Sequence, residues 1–439
     1  MTVHVIGAGL AGLSAATALA AAGHAVAVSE AAPQAGGRCR SYADAVTGLT
    51  IDNGNHLVLS GNDAVMAYLD RIGARAAVQG PVSAAFRFVD LGSDGDVGGG
   101  DERGGFTVAP NDGPVPWWIF AAARRVPGTS AGDYLALARL LFPPAWATVG
   151  DVVRTTGPLW DKLLEPVLLA ALNTPVAGAS AVLAAAVMRG SLARGGAACR
   201  PLIAHPTLAA AFVDPALTFL ADRGAKLHHR RLSALEHQPS SERRAGDAIS
   251  SDKPSRIDSL RFGDETVALG LDDCIILAVP APVAATLLPG LPVPTEFNPI
   301  VSLHFAIAPP AGTPPILGVL GATTEWIFAF PDRISVTISA ANAAAERDRA
   351  ELAVAVWGEV CRALDLATPR PAWQVVKERR ATFAATVAQD ALRPPAATRF
   401  ANLFLAGDWT QTGLPSTIEG AVRSGMTAAA LVPGLARAG

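Results

Sequence analysis

Hydrophobic and polar positions along the chain switch between two periods. Val3 to Ile6 is a short apolar run, and a glycine turn follows. Gly12 to Ala22 is rich in helix formers and is closed by Gly23, and Ala25 to Ser29 then alternates and ends in Glu30. That order predicts strand, turn, helix, strand: one βαβ unit. Residues 34–62 are rich in Gly and Asn with short apolar pieces, as in loops laid over a ligand. The stretch 117–223 is mostly helical by pattern, broken at Pro127, Pro143-Pro144, Pro158 and Pro175. Alternation returns from Leu227 to Leu235 and from Ser259 to Leu269. Cys274 to Val279 is a continuous apolar run suited to a buried strand. Residues 300–340 are strand-rich, 343–365 suit an amphipathic helix, and Asn402 to Leu405 is a last buried strand. Gly407-Asp408 and a helix from about Ile418 end the pattern.

The two kinds of segment interleave. Pieces 1–75, 205–290 and 398–439 read as one α/β, Rossmann-like three-layer domain. Pieces 76–204 and 291–397 read as an inserted domain of mixed sheet and helices that holds the substrate. A chain of 439 residues exceeds one ordinary core, which agrees with two domains. Two polar stretches, 90–105 and 238–256, lack core periodicity and are expected to be solvated, the second of them mobile.

Composition narrows the function. Half the residues are hydrophobic and the net charge is −3, so there is no electrostatic footprint for nucleic acid. Cys39, Cys199, Cys274 and Cys361 lie far apart with no CxxC, which indicates neither a zinc site nor a disulfide framework and fits the cytoplasm. Pro166 to Met188 is uncharged, but Asn173, Thr174, Pro175, Gly178 and Ser180 interrupt it. It predicts two buried helices joined by a break rather than a membrane span.

Gly7-Ala8-Gly9-Leu10-Ala11-Gly12 is G-x-G-x-x-G placed between strand and helix. Gly7 permits the tight turn, Gly9 lets the backbone approach a pyrophosphate, and Gly12 lets helix and strand pack closely. The helix N-terminus offers free N–H groups to phosphate, and Glu30 ends the second strand where a carboxylate meets ribose hydroxyls. Gly36-Gly37-Arg38 adds a second anion-approaching turn. Gly407-Asp408 and Ser416 to Ala421 add a second helix terminus, suited to the pyrimidine end of an isoalloxazine. A nicotinamide dinucleotide does not need that distant half, so the three pieces point to FAD.

Those three motifs resemble the flavin amine oxidase and phytoene desaturase superfamily. Ile51-Asp52-Asn53-Gly54-Asn55-His56-Leu57, Val115-Pro116-Trp117-Trp118, Gly157-Pro158-Leu159-Trp160 and Ala171-Leu172-Asn173-Thr174-Pro175 carry a finer resemblance. So do Ala211 to Pro215, Glu378 to Ala384 and Ala406 to Thr410. They are similar to the hydroxysqualene dehydroxylase family, the squalene-associated FAD-dependent desaturases. The resemblance implies non-covalent FAD contacts at Gly7, Gly9, Leu10, Ala11, Gly12, Glu30, Gly36, Gly37, Arg38, Gly54, Asn55 and His56. It also implies contacts at Leu232, whose backbone would meet the adenine, and at Gly407, Asp408, Thr417 and Ile418. It further implies an oily isoprenoid substrate, hydroxysqualene, and reductive loss of its hydroxyl to give squalene. Peripheral contact with the inner face of the cell membrane and prenyltransferase pathway partners follow from the same substrate.

Individual side chains stay open at this level. His56 is either a flavin-facing group or a loop histidine bonded to backbone. Glu165 borders the uncharged stretch, and burial there would raise its pKa and make it an acid for the departing hydroxyl. Asn173 either bonds a substrate oxygen or caps a helix. Of the adjacent Trp117 and Trp118, at most one lines a cavity, or else both anchor at a membrane interface. His228-His229 point to opposite strand faces, and no metal site is expected. A carotenoid or phytoene desaturase, an amine oxidase and a non-enzymatic flavin scaffold remain as alternatives.

Overall fold

The computed structural model describes residues 1–92, 105–237 and 255–434. The polar stretches expected at 90–105 and 238–256 therefore fall largely outside the described residues.

A five-stranded parallel sheet forms the first layer system, in the order Lys226–His229, Ala25–Glu30, Thr2–Ile6, Cys274–Leu277, Leu403–Leu405. Its central strands are apolar on both faces, with Val3, Val5, Ile275, Ile276 and Leu277 buried, because helices cover one side and a three-stranded antiparallel sheet (Ala234–Glu236, Ser259–Phe262, Glu265–Ala268) with the helix Ala281–Leu287 covers the other. The helix Leu10–Ala21 returns across the sheet and packs against the C-terminal helix Ile418–Ala429. Contact is close because Gly425 has no side chain: a Cβ there would overlap the Ala11 carbonyl oxygen. Ser14 Oγ donates to the Val422 carbonyl at 2.9 Å across the same seam.

A seven-stranded mixed sheet makes the second system. Its order is Trp373–Phe383, Phe297–Phe305, Ile334–Ile338, Trp326–Ala329, Ile316–Leu320, Phe86–Asp90, Gly105–Val108. The strand period of two divides its residues. Val301, Leu303, Phe305, Val336 and Ile338 form one core with Leu352, Val356, Trp357 and Val360 of the helix Arg349–Leu364. On the other face, Phe88, Phe106, Trp326 and Phe328 join Trp118, Leu164, Leu168 and Leu172 of the helical layer. Ser302, His304, Ser335 and Thr337 alternate with the first set, so they share this second face, where they meet residues 52–56.

A small sheet links the two systems: Pro201–Ala204 pairs with both Leu57–Leu59 and Val78–Gln79. The uncharged stretch folds as two helices, Glu165–Leu172 and Ala181–Gly190, separated by the break at 173–180. Among the described residues no helix is long and apolar enough to cross a membrane.

Candidate functional site

The glycine loop ends the strand Thr2–Ile6 in a cradle. Gly7 has φ +108°, and a Cβ there would lie 2.5 Å from the Ala278 carbonyl oxygen. A Cβ on Gly12 would overlap the Gly7 carbonyl oxygen, so both glycines are required by packing. Gly9 is different. Nothing lies within 4 Å of where its Cβ would be, and it begins the helix Leu10–Ala21 without a side-chain cap. An uncapped helix N-terminus beside open space is an anion site. Leu10 and Ala11 form the first turn of that helix.

Glu30 closes the cradle. Its Oε2 accepts from Ala8 N–H at 2.7 Å and its Oε1 from Ala32 N–H at 2.8 Å, which fixes the carboxylate and leaves lone pairs for hydroxyl donors. Gly36, at φ +105°, donates its N–H to the Ala8 carbonyl at 2.7 Å, and the Cβ position of Gly37 is 3.3 Å from Gly9 Cα. Leu232 is buried just past the strand Lys226–His229, and Arg230 N–H donates to the Glu30 carbonyl at 2.8 Å.

Arg38 joins the distant chain ends. Its Nη2 donates to Asp408 Oδ1 at 2.6 Å, and its Nη1 donates to the Ala381 carbonyl. The arginine keeps 42% of its side-chain surface accessible, so it can meet a further group while paired to Asp408. Burial disfavours the Asp408 carboxylate, but the Arg38 charge and hydrogen bond outweigh it and hold the carboxyl below its usual range. Gly407 N–H donates to Ser424 Oγ at 2.8 Å. Thr417 caps the last helix by accepting from Gly420 N–H at 3.0 Å, and Ile418 is buried behind it. Trp409 is a core anchor, buried with its Nε1–H donated to the Val279 carbonyl at 2.9 Å.

Residues 52–56 form the wall facing Arg38. Asp52 accepts from Ser41 Oγ–H at 2.6 Å and Leu208 N–H at 2.9 Å, and it lies 3.5 Å from the fully buried Arg333. Asn53 Nδ2 donates to Glu378 at 3.2 Å. Gly54 packs against the Ser302 hydroxyl, which a Cβ would approach to 3.5 Å. Asn55 Nδ2 donates to the Val336 carbonyl and Thr337 Oγ1, both at 3.2 Å, while its buried Oδ1 has no partner. His56 is half-buried, and among the described residues none hydrogen-bonds it. Burial and then the Arg38 charge push its pKa down to about 4, so the imidazole is neutral at pH 7.

The three candidate catalytic residues separate. His56 stands in the Arg38 wall. Glu165 is exposed at the start of its helix, so the burial that would have made it a neutral acid does not occur. Asn173 caps that helix in the left-handed region at φ 47° and is buried. Its Nδ2 donates to the Asn298 carbonyl at 3.2 Å and Thr382 Oγ1 at 2.9 Å, and its Oδ1 accepts from Ala340 N–H at 2.5 Å. Its side chain ties the helical layer to the sheet. Of the tryptophan pair, Trp118 is buried and Trp117 is exposed.

Glu325 escaped the sequence reading. It precedes Trp326, whose strand partner Thr337 holds Asn55, and its Oε2 accepts from Ser339 N–H at 2.8 Å. Burial pushes its pKa up to about 7, so a proton is available at neutral pH. A lone Glu between Thr and Trp carries no motif, and only the fold reveals its burial. Nearby, Trp326 also lines an apolar cavity of about 200 Å³ with Phe86, Ile316, Pro81 and Pro201.

An open Gly9, an uncapped helix, the Glu30 carboxylate at the strand end and Arg38 paired to Asp408 together fit a dinucleotide flavin. The chain belongs to the flavin containing amine oxidoreductase family, whose profile matches residues 10–433. Within it, the sequence is 50% identical over 438 residues to hydroxysqualene dehydroxylase from Rhodopseudomonas palustris, covering 100% of this chain and 99% of that one. It is 48% identical over 433 residues to hydroxysqualene dehydroxylase from Sinorhizobium fredii, covering 98% and 97%. The fold matches an oxidoreductase from Methanosarcina mazei with a TM-score of 0.68 at 16% identity, over 97% of this chain and 99% of that one. The protein is a flavin-dependent oxidoreductase of the hydroxysqualene dehydroxylase group.

Proposed function

We propose that this protein reductively removes the hydroxyl of hydroxysqualene to give squalene. Near-full-length identity to enzymes of that name, joined to an open flavin cradle, carries the reading. The balance is R–OH plus hydride plus proton giving R–H and water. When bound, reduced FAD supplies the hydride. The glycine loop and helix Leu10–Ala21 hold the pyrophosphate, Glu30 meets the ribose, Leu232 offers backbone to the adenine, and Arg38 with Asp408 orders the flavin end. Thr417 and Ile418 present the last helix terminus to the same end.

The substrate offers only one polar group, so the pocket must be apolar and must direct a proton to a single oxygen. Neutral His56 is our candidate to hydrogen-bond that oxygen, adding no second cation beside Arg38. Glu325, whose carboxyl pKa is raised by burial to about 7 so that part of it holds a proton at neutral pH, is our candidate proton source in place of the exposed Glu165. A water-insoluble C30 alcohol also implies peripheral contact with the membrane, on its cytoplasmic face, and handover from prenyl-transferring enzymes working there.

An anaerobic single turnover tests the reaction. Pre-reduced holoenzyme is mixed with hydroxysqualene, flavin reoxidation is followed, and the lipid is extracted for mass spectrometry. Squalene equal to the flavin reoxidised is the expected result. Unchanged alcohol with flavin still reduced would refute it and favour a desaturase.

A further inference from the structure

We propose that the lobe formed by residues 115–146 is the surface by which this protein docks on an anionic lipid bilayer. The inference deepens the hydroxysqualene reading by giving the oily substrate a point of entry.

The described surface carries thirteen large exposed hydrophobic residues, and all four aromatics among them lie in this lobe: Trp117, Phe120, Phe142 and Trp146. They are between 52% exposed (Trp117) and 82% exposed (Phe142), and Val115 and Leu135 join them. Isolated exposed aliphatics are ordinary, whereas concentration of every such aromatic in one short stretch is not. The lobe is ordered. Trp118, Ile119, Tyr134 and Leu140 point inward from the same turns and are buried, and Trp118 and Tyr134 pack edge to face at 5.0 Å. Half of its apolar side chains thus hold the scaffold while the others face outward.

Charge decides the occupant. Between residues 113 and 159 the chain carries Arg124, Arg125, Arg139 and Arg154 against Asp133 and Asp151. Both aspartates are taken up in helix capping boxes, with Ser130 and with Thr148. Arg124 lies over the Trp117 ring at 4.8 Å, and Arg189 reaches the lobe by donating to the Leu141 carbonyl at 2.5 Å. Tryptophan and phenylalanine bordered by arginine match the headgroup region of an anionic membrane. A second copy fits less well, because it would bring the same arginines face to face. With no spanning helix among the described residues, docking is monotopic. The core beneath the lobe continues through Leu164, Leu168 and Phe88 to Trp326, which also lines the apolar cavity.

The test uses full-length holoenzyme and extruded vesicles of phosphatidylglycerol with phosphatidylethanolamine, or of phosphatidylcholine alone. Wild-type protein is expected to float with the anionic vesicles, less with the neutral ones, and less again at high salt. The double variant Phe142→Ser, Trp146→Ser should bind about tenfold or more weakly, since two interfacial side chains are withdrawn. Arg139→Glu should reduce anionic selectivity. Both should keep their FAD and still reduce detergent-dispersed hydroxysqualene, while losing turnover of vesicle-borne substrate. Wild-type binding to neither vesicle, or unchanged binding by the double variant, would overturn the proposal. So would a change in particle mass by light scattering in place of lost vesicle binding, which would identify a self-association face. Vesicle binding without turnover in either substrate form would defeat the hydroxysqualene reading and leave the docking surface standing.

Discussion

Replacing Gly9 by valine separates cofactor binding from folding. Gly9 has φ −75° and ψ 176°, an extended conformation that a β-branched residue adopts without strain. No atom lies within 4 Å of its Cβ position, so the valine side chain starts into open space in the cradle. It occupies the space through which a pyrophosphate reaches the first N–H groups of the helix Leu10–Ala21. Losing two hydrogen bonds to a charged group, at roughly 1.5–3 kcal/mol each, weakens FAD by about 3–6 kcal/mol. That is about a 10²- to 10⁴-fold rise in Kd. The variant should purify colourless, with a melting temperature close to that of flavin-stripped wild type. Gly12→Val is the control that fails differently: its Cβ would overlap the Gly7 carbonyl oxygen, so it should lower the melting temperature of stripped protein as well. The assays are flavin-to-protein absorbance ratio, titration of stripped protein with FAD, and thermal melts. A yellow Gly9→Val protein with full FAD content, or one that does not fold, would sink this placement of the pyrophosphate.

Other expectations follow from the same coordinates. Asn173→Ala removes three hydrogen bonds and leaves alanine in the left-handed region, so it should destabilise by about 3 kcal/mol in denaturant melts while folded enzyme keeps its kcat. Glu165→Gln alters an exposed side chain, and turnover should stay within about twofold of wild type; a much larger loss would restore it as the acid. Asp408→Asn leaves Arg38 without its carboxylate partner. It should lower FAD retention on gel filtration and stability by about 1–3 kcal/mol, a figure reduced for the accessibility of Arg38. Glu325 binds its proton more tightly folded than unfolded. Its contribution is therefore present at low pH and lost as pH rises from about 4.5 through about 7, by roughly 3 kcal/mol at most. Glu325→Gln should remove that slope from the pH dependence of unfolding and lower kcat, and Glu325→Asp should recover part of the rate.

The βαβ unit was legible because its signals are local. Strand, glycine turn, helix and terminal carboxylate sit within Thr2 to Glu30, and Gly12 must clear the Gly7 carbonyl oxygen only five residues away. The break between Glu165–Leu172 and Ala181–Gly190 was legible for the same reason, since Asn173 to Ser180 cannot continue an apolar helix. Side-chain exposure was less so. Glu165 was placed by its apolar neighbours in sequence, but helix rotation turns it outward and sends Leu164 and Leu168 to the core. Asn173 showed both of its options in sequence, and only the approach of Asn298, Thr382 and Ala340 decided for the structural one.

Short-range pattern by itself determined one half of the fold: where the glycine turn lies, which glycines form it, and that a second motif returns near Gly407-Asp408. Tertiary structure alone decided that Arg38 and Asp408, 370 positions apart, close on one another. It alone buried Glu325 enough to raise its carboxyl pKa, and it alone turned Trp117, Phe120, Phe142 and Trp146 outward while burying Trp118. The physical reason is one of range. Backbone conformation is set by neighbours within a turn or two of chain, whereas desolvation and charge pairing depend on whatever the rest of the chain packs against each side chain.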